Sequence, residues 1–251
     1  MPRSQTGQYV RQTILLLSSI TIIGCAQSKT DLPVLADDPA LEMPGSKSGA
    51  NTPTTPGSET GVIPALNSVG LITQKYSYLD PNRLIDTKLL LTALSYFSAN
   101  ETKFANKSVI TVIDFAKRSS ERRLFIIDMK TGSVWAMPVA HGKGSDPDAD
   151  GFATLFSNQD GSNSTSLGVY RGAETYIGKN GLSLRMDGLS NTNSNARARA
   201  VVIHGAAYVR DEKVIQGRSW GCPAIPMPYR DKVLELLKGG SFIYAGLSAK
   251  N

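Results

Sequence analysis

From about Lys107 onward the apolar residues recur at every second position, in short runs such as "SVITVIDFA", "RRLFIIDMK" and "GSVWAMPVAHG". That period puts successive side chains on opposite faces and marks β-strands. Later runs, "SLGVYRG", "GLSLRMDG" and "ARAVVIHGA", are separated by loops rich in Asn, Ser and Gly, and "KTG" reads as a tight hairpin turn. No helix alternates with these strands, so a doubly wound parallel sheet is excluded. The expected fold class is mostly β, a mainly antiparallel sandwich or barrel. Two elements fall outside the pattern: "YRDKVLELLKGG", a short C-terminal helix stopped by its glycines, and "SFIYAGL", a closing strand.

Upstream the period lengthens. In "DTKLLLTALSYFSAN", Leu89, Leu90, Ala93, Leu94 and Phe97 share one helical face and Asp86 is placed to cap it. Residues 63–106 therefore read as a short helical prelude to a domain over 107–251. Before it, residues 25–62 are dense in Pro, Gly, Ser and Thr, a composition that cannot offset its ordering entropy by burial and reads as a tether.

Residues 1–24 read as an export signal: Arg3 and Arg11 precede "TILLLSSITII", an apolar run too short to span a bilayer. The following "IIGCA" resembles the lipobox of bacterial lipoproteins, which implies that Cys25 becomes a lipidated N-terminus attached to a membrane. A plain secretory signal with a chance cysteine is the other reading. Ala26 after Cys25 fits sorting to the periplasmic face of the outer membrane in a Gram-negative host. The formal charge of +6 falls by two, to +4, once Arg3 and Arg11 leave with the signal. That balance suits an anionic envelope polymer, and the absence of any basic run argues against nucleic acid.

Lipidation of Cys25 would leave Cys222 without a partner, and an unpaired exported thiol calls for a chemical role. Cys222 closes "HGAAYVRDEKVIQGRSWGCPA", which opens with His204, one of only two histidines. A thiol reacts as thiolate and needs a base or cation beside it, and an excursion of this length can bring its ends together. Main-chain amides of Gly221 and Cys222 are candidates for an oxyanion site. A buried structural cysteine and a strand-end histidine fit the same residues. A closed zinc site lacks ligands, and "SDPDAD" lacks the later Glu of a calcium loop, so no metal is assigned.

"IHG", a fourteen-residue spacer and "SWGC" resemble the signature of the bacterial murein L,D-transpeptidases of the YkuD type. The phrases "VAHGKGSD", "FSNQDGSNSTSLGVY", "GKNGLSLRMDGL", "NARARAVVIHGAAYV" and "GRSWGCPAIP" extend the likeness to the branch with RSWGCPA in place of SHGC. The resemblance implies that fold, with Cys222 as nucleophile, His204 as general base and the Gly205 carbonyl orienting the imidazole. It also makes Asn158, Ser166, Tyr170, Arg185, Arg218, Ser219 and Trp220 substrate-binding candidates. Trp220 stands where the wider family has a second histidine, and His141 is the candidate to supply that missing imidazole.

The implied activity is formation of a Cys222 thioester with a peptidoglycan stem peptide and its transfer to an amine, without a cofactor. Acylation of Cys222 by carbapenem β-lactams is implied as well. Water as the acceptor would make the chain an L,D-carboxypeptidase or amidase, and a degenerate site would make it a non-catalytic murein-binding lipoprotein of the cell envelope.

Overall fold

The computed structural model describes residues 66–249. The signal, Cys25 and the tether lie outside the described residues. The chain divides into two compact units at Gly57/Ser58, and everything described belongs to the second.

Two helices come first, α1 over Leu66–Lys75 and α2 over Thr87–Ala99. Asp86 caps α2, its carboxylate accepting from the Leu89 amide at 2.8 Å and satisfying one of the orphan donors of the first turn. Eight strands follow: β1 (Val109–Asp114), β2 (Leu124–Asp128), β3 (Val134–Met137), β4 (Gly168–Gly178), β5 (Gly181–Gly188), β6 (Val202–Ala206), β7 (Ala224–Pro226) and β8 (Ser241–Gly246). The helix α3 (Arg230–Leu237) lies between the last two. The fold is mostly β, as expected.

The strands form one sheet in the order β3-β2-β1-β8-β4-β5-β6-β7. The chain leaving β3 bends so that Ala140 pairs antiparallel with Ala224 of β7, and Gly142 pairs with Ser219. The two ends of the strand order are thus joined, which selects the barrel over the open sandwich. The β2–β3 hairpin turns on Gly132, whose φ of +76° is one that glycine adopts without strain and whose carbonyl accepts from the Asp80 amide.

The sheet is mainly antiparallel, as expected, with two parallel pairings, β1 with β8 and β6 with β7. Each joins strands distant in sequence, so no hairpin signal announces it. The tightest of the expected strands, β5, has the predicted bounds. β4 runs on six residues beyond the expected "SLGVYRG", through a register shift between Gly172 and Thr175. β7, only three residues long and ending on Pro226, is not among the strands expected from the sequence.

The strands β1, β2 and β8 are apolar on both faces. Ile113, Leu124, Ile126 and Ile243 join α3's Val233, Leu234 and Leu237 in one core. The alternate residues Ile110, Val112, Phe125, Ile127 and Phe242 pack on Leu89, Ala93, Leu94 and Phe97 of α2 in another. A strand covered on both sides reads as a continuous apolar run, which accounts for "VITVID" and "LFIID" better than a half-solvated face would.

Candidate active site

β6 and β7 run parallel with His204 opposite Ala224. Extending that register two residues back brings Cys222 level with Val202, whose amide donates to the sulfur. The thiol itself is directed to the Ala200 carbonyl, at 3.8 Å. Thiol and imidazole therefore sit on neighbouring strands, displaced by one pleat repeat of roughly 6.6 Å along the axis. The eighteen-residue excursion does bring its ends together.

His204 is buried, and its Nδ1 lies 3.1 Å from the Gly205 carbonyl oxygen. A carbonyl only accepts, so Nδ1 carries the hydrogen and Nε2 of the neutral ring is left as the basic atom. Burial lowers the His204 pKa, with the Gly205 hydrogen bond acting against it. Burial pushes the Cys222 thiol up, opposed by the Val202 amide and by the charge of Arg199. Both displacements favour the uncharged forms of the two groups.

The turn before the thiol is pinned from within. Ser219 Oγ donates to the Cys222 carbonyl at 2.6 Å and accepts from the Gly221 amide at 3.1 Å. The Gly221 amide, expected as an oxyanion donor, is engaged in this local bond, and its φ is +121°. Only glycine fits there: a Cβ would stand 2.9 Å from the Ser164 carbonyl oxygen. The Gly221 carbonyl accepts from Thr165 Oγ1 at 3.3 Å, and Thr165 Oγ1 accepts in turn from the Gly142 amide at 2.9 Å. Trp220, two residues before Cys222, is 52% exposed, with the Lys143 ammonium 5.2 Å from its ring centroid.

His141, the candidate for the missing imidazole, lies inside the protein. Its side chain is 1% exposed, Nδ1 accepts from Arg123 Nη2 at 2.8 Å, and Nε2 donates to Asp146 Oδ2 at 3.1 Å. Burial, and then the Arg123 charge, hold its pKa down to about 4. With both nitrogens committed inside the protein it has no atom left for a substrate. Arg123, itself buried, also donates to the Val139 and Lys117 carbonyls, and burial draws its pKa down to about 9. Burial works against the ionised Asp146, yet bonds from His141 and the Gly151 amide keep its carboxyl below the ordinary range.

The other candidates divide between framework and surface. Ser166 Oγ and the Tyr170 hydroxyl lie 2.8 Å apart, and Tyr170 also donates to the Ser166 carbonyl at 2.7 Å. Both are buried, which pushes Tyr170 up to about 12 and withdraws both hydroxyls from solvent. Asn158 is spent clasping the 191–195 turn, donating to Asn191 O and Ser194 Oγ and accepting from the Asn195 amide. Arg218 donates to the Asp146 carbonyl. Arg185 pairs with Glu174 at 3.2 Å and stacks 4.0 Å over Tyr176 on the outer face of β4 and β5. In all five residues the polar groups are engaged by the protein's own frame.

Thr165 bonds the turn bearing Cys222 to the segment 157–166, Arg199 donates to that same segment, and neither residue stood out in sequence. Arg199 sits in a turn where the sequence read as the start of β6, and a Thr inside "SNSTS" looks like loop solubility. Among the described residues Asp146, Asp148 and Asp150 each offer an oxygen within 4.8 Å of the others. Asp146 already accepts from the Asp150 and Gly151 amides and from His141, so the trio is a folded acidic turn.

Residues 81–245, more than half of the chain, match the family described as the L,D-transpeptidase catalytic domain. Similar solved structures include an L,D-transpeptidase from Stackebrandtia nassauensis at 13% identity, covering 73% of this chain and 78% of its own, with a TM-score of 0.35. Another, from Mycobacterium smegmatis, has 13% identity, 55% and 58% coverage and a TM-score of 0.35. The LD transpeptidase LdtMt1, solved in complex with imipenem, has 15% identity, 55% and 59% coverage and a TM-score of 0.34. This chain spans 59% and 50% of the lengths of the first two such structures. No curated protein matches it.

Proposed function

Because the chain belongs to the L,D-transpeptidase catalytic domain family, we propose that it is a peptidoglycan L,D-transpeptidase of the cell envelope, acting through Cys222 and anchored by a lipid on Cys25. The observation that carries this reading is the hydrogen bond from His204 Nδ1 to the Gly205 carbonyl, which presents a basic Nε2 on the strand beside the thiol.

In the first half-reaction Nε2 takes the Cys222 proton and the sulfur attacks the carbonyl carbon of an L,D peptide bond in the stem. The Cys222 amide is the donor left for the oxyanion once the Gly221 amide is engaged by Ser219. Collapse breaks the C–N bond, and imidazolium returns the proton to the departing amine of the terminal D-residue. In the second half-reaction an amine on a neighbouring stem attacks the thioester, its proton passing through His204 back to the sulfur as the C–S bond breaks. Water in place of the amine would give a trimmed stem.

The test is mass spectrometry of the full-length protein in detergent with disaccharide-tetrapeptide murein fragments, beside Cys222→Ala. Cross-linked dimers from the active protein alone support the transpeptidase. Trimmed tripeptides without dimers favour the hydrolase. No product and no acyl adduct on Cys222 favour a murein-binding lipoprotein without catalysis. Imipenem, the ligand of one solved relative, is a second probe: its mass added to the wild type and not to Cys222→Ala supports an acyl-enzyme.

A further inference from the structure

Arg199 lies in the turn that precedes β6 and is half-buried. Its guanidinium donates to the Ser157 carbonyl at 2.8 Å and the Ser164 carbonyl at 2.7 Å, and to the hydroxyls of Ser166 and Ser162 at 3.4 and 3.3 Å. Every one of these partners is neutral. Two residues earlier, Arg197 is matched by Glu174 and Asp187, and Arg171, Arg185, Arg122 and Arg230 each have a carboxylate. Among the described residues no carboxylate pairs with Arg199. A guanidinium withdrawn this far from water costs free energy unless its charge is used.

That charge faces the nucleophile. The position a Gly221 Cβ would take lies 3.4 Å from Nη2, so the guanidinium rests in van der Waals range of the turn bearing Cys222. The next residue, Ala200, supplies the carbonyl that receives the thiol, from a backbone held at a φ of +52°. The groups that act electrostatically on the sulfur are the Val202 amide of β6, Arg199, Tyr170 of β4 and Tyr208 of the loop after β6, while His204 lies on β6, paired with Ala224 two residues beyond the cysteine. Of these, Arg199 is the permanent cation.

We infer that Arg199 is the positioning residue of this site, a fixed positive charge that favours the Cys222 thiolate while its planar fork clasps the segment 157–166 over the nucleophile. The inference rests on Cys222 being the nucleophile of the proposed function, but its test needs no murein. The two roles separate by chemistry: the charge is shared by lysine, whereas the fork of donors in one plane belongs to arginine alone.

The experiment is alkylation of Cys222 by iodoacetamide across pH, followed on the Cys222 peptide by mass spectrometry in the full-length protein, for the wild type, Arg199→Gln and Arg199→Lys. In Arg199→Gln the profile is expected to move to higher pH, with a fall of about tenfold in rate at neutral pH. Arg199→Lys should keep the wild-type profile while loosening the clasp, read as faster amide hydrogen exchange over residues 157–166. A profile in Arg199→Gln that superimposes on the wild type overturns the inference. So does an Arg199→Lys profile displaced upward, which settles the matter even if the glutamine variant fails to fold. Failure to turn over murein in the wild type would overturn the proposed function and leave this profile intact.

Discussion

The Ser219 hydroxyl bonds to both residues that follow Trp220, giving its proton to the Cys222 carbonyl at 2.6 Å and taking one from the Gly221 amide at 3.1 Å. One side chain therefore fixes the conformation of the turn that presents the thiol. Ser219→Ala is expected to cost about 1–2 kcal/mol of stability and, because the misplacement falls at the reacting group, at least tenfold in turnover. Ser219→Thr, which keeps the hydroxyl, should retain most of both. Thermal denaturation and murein turnover on the same preparations check this, and an alanine variant of full activity would refute it.

Gly221 is the second constraint on that turn. Gly221→Ala places a methyl group against the Ser164 carbonyl oxygen on a backbone whose φ is +121°. The expected result is a folded protein destabilised by about 1–3 kcal/mol, with Cys222 alkylation slowed because the turn must open. Alkylation rate and melting temperature together distinguish this from simple unfolding.

The pH dependence of turnover follows from two opposed displacements. His204 is lowered by burial, so the base stays deprotonated into mildly acidic solution and its limb in kcat/KM lies below the usual histidine range. Cys222 is raised by burial, so thiolate accumulates only in alkaline solution, and iodoacetamide reactivity should keep rising above neutral pH. His204→Ala should lower kcat by about 10²- to 10⁴-fold and abolish the acid limb. An acid limb unchanged in that variant would show that another group carries it.

His141 makes folding itself sensitive to acid. Its folded pKa, about 4, is below the ordinary value of 6.5 because the buried ring next to Arg123 resists a charge. The unfolded chain binds a proton at 6.5 and the folded chain only near 4, so the contribution of this group to stability is complete above about 6.5 and declines as pH falls towards 4. Melting temperature across that window should drop in the wild type and drop less in His141→Gln, which retains hydrogen-bonding groups but does not titrate. Parallel curves would exclude His141 as the cause.

α2 is expected to be indispensable to the domain that follows it. Leu94 is 4% exposed in the core shared with Phe242 and Ile110. Leu94→Ala should cost about 2–5 kcal/mol, measured by denaturant titration, and removal of residues 66–106 should leave the outer face of β1, β2 and β8 unprotected and the product insoluble.

How much of this was legible in sequence depends on whether a signal is local. β5 was readable because glycines bound it at both ends and a single alternation fills it. The parallel partners of β1 and β6 were not, since β8 and β7 lie far along the chain and β7 has three residues and a proline. At the site, Cys222 and His204 stood out because so few residues of either type occur in the chain. The engagement of the Gly221 amide by Ser219 and the burial of His141 between Arg123 and Asp146 depend on φ angles and on contacts from other strands. Arg199 was hidden by the alternation of "NARARAVVIH", which resembles a strand edge in solvent although the residue turns inward.

The closure of the barrel has a consequence for how the protein matures. Ala140 meets Ala224 at the seam where the first and last strands of the sheet order join, two residues beyond the cysteine. Contacts between parts of a chain so widely separated are slow to form. An incompletely folded molecule therefore carries the sulfur but not the turn, the imidazole geometry or the clasp that make it a reagent. The thiol would gain its surroundings only as the two ends of the strand order meet.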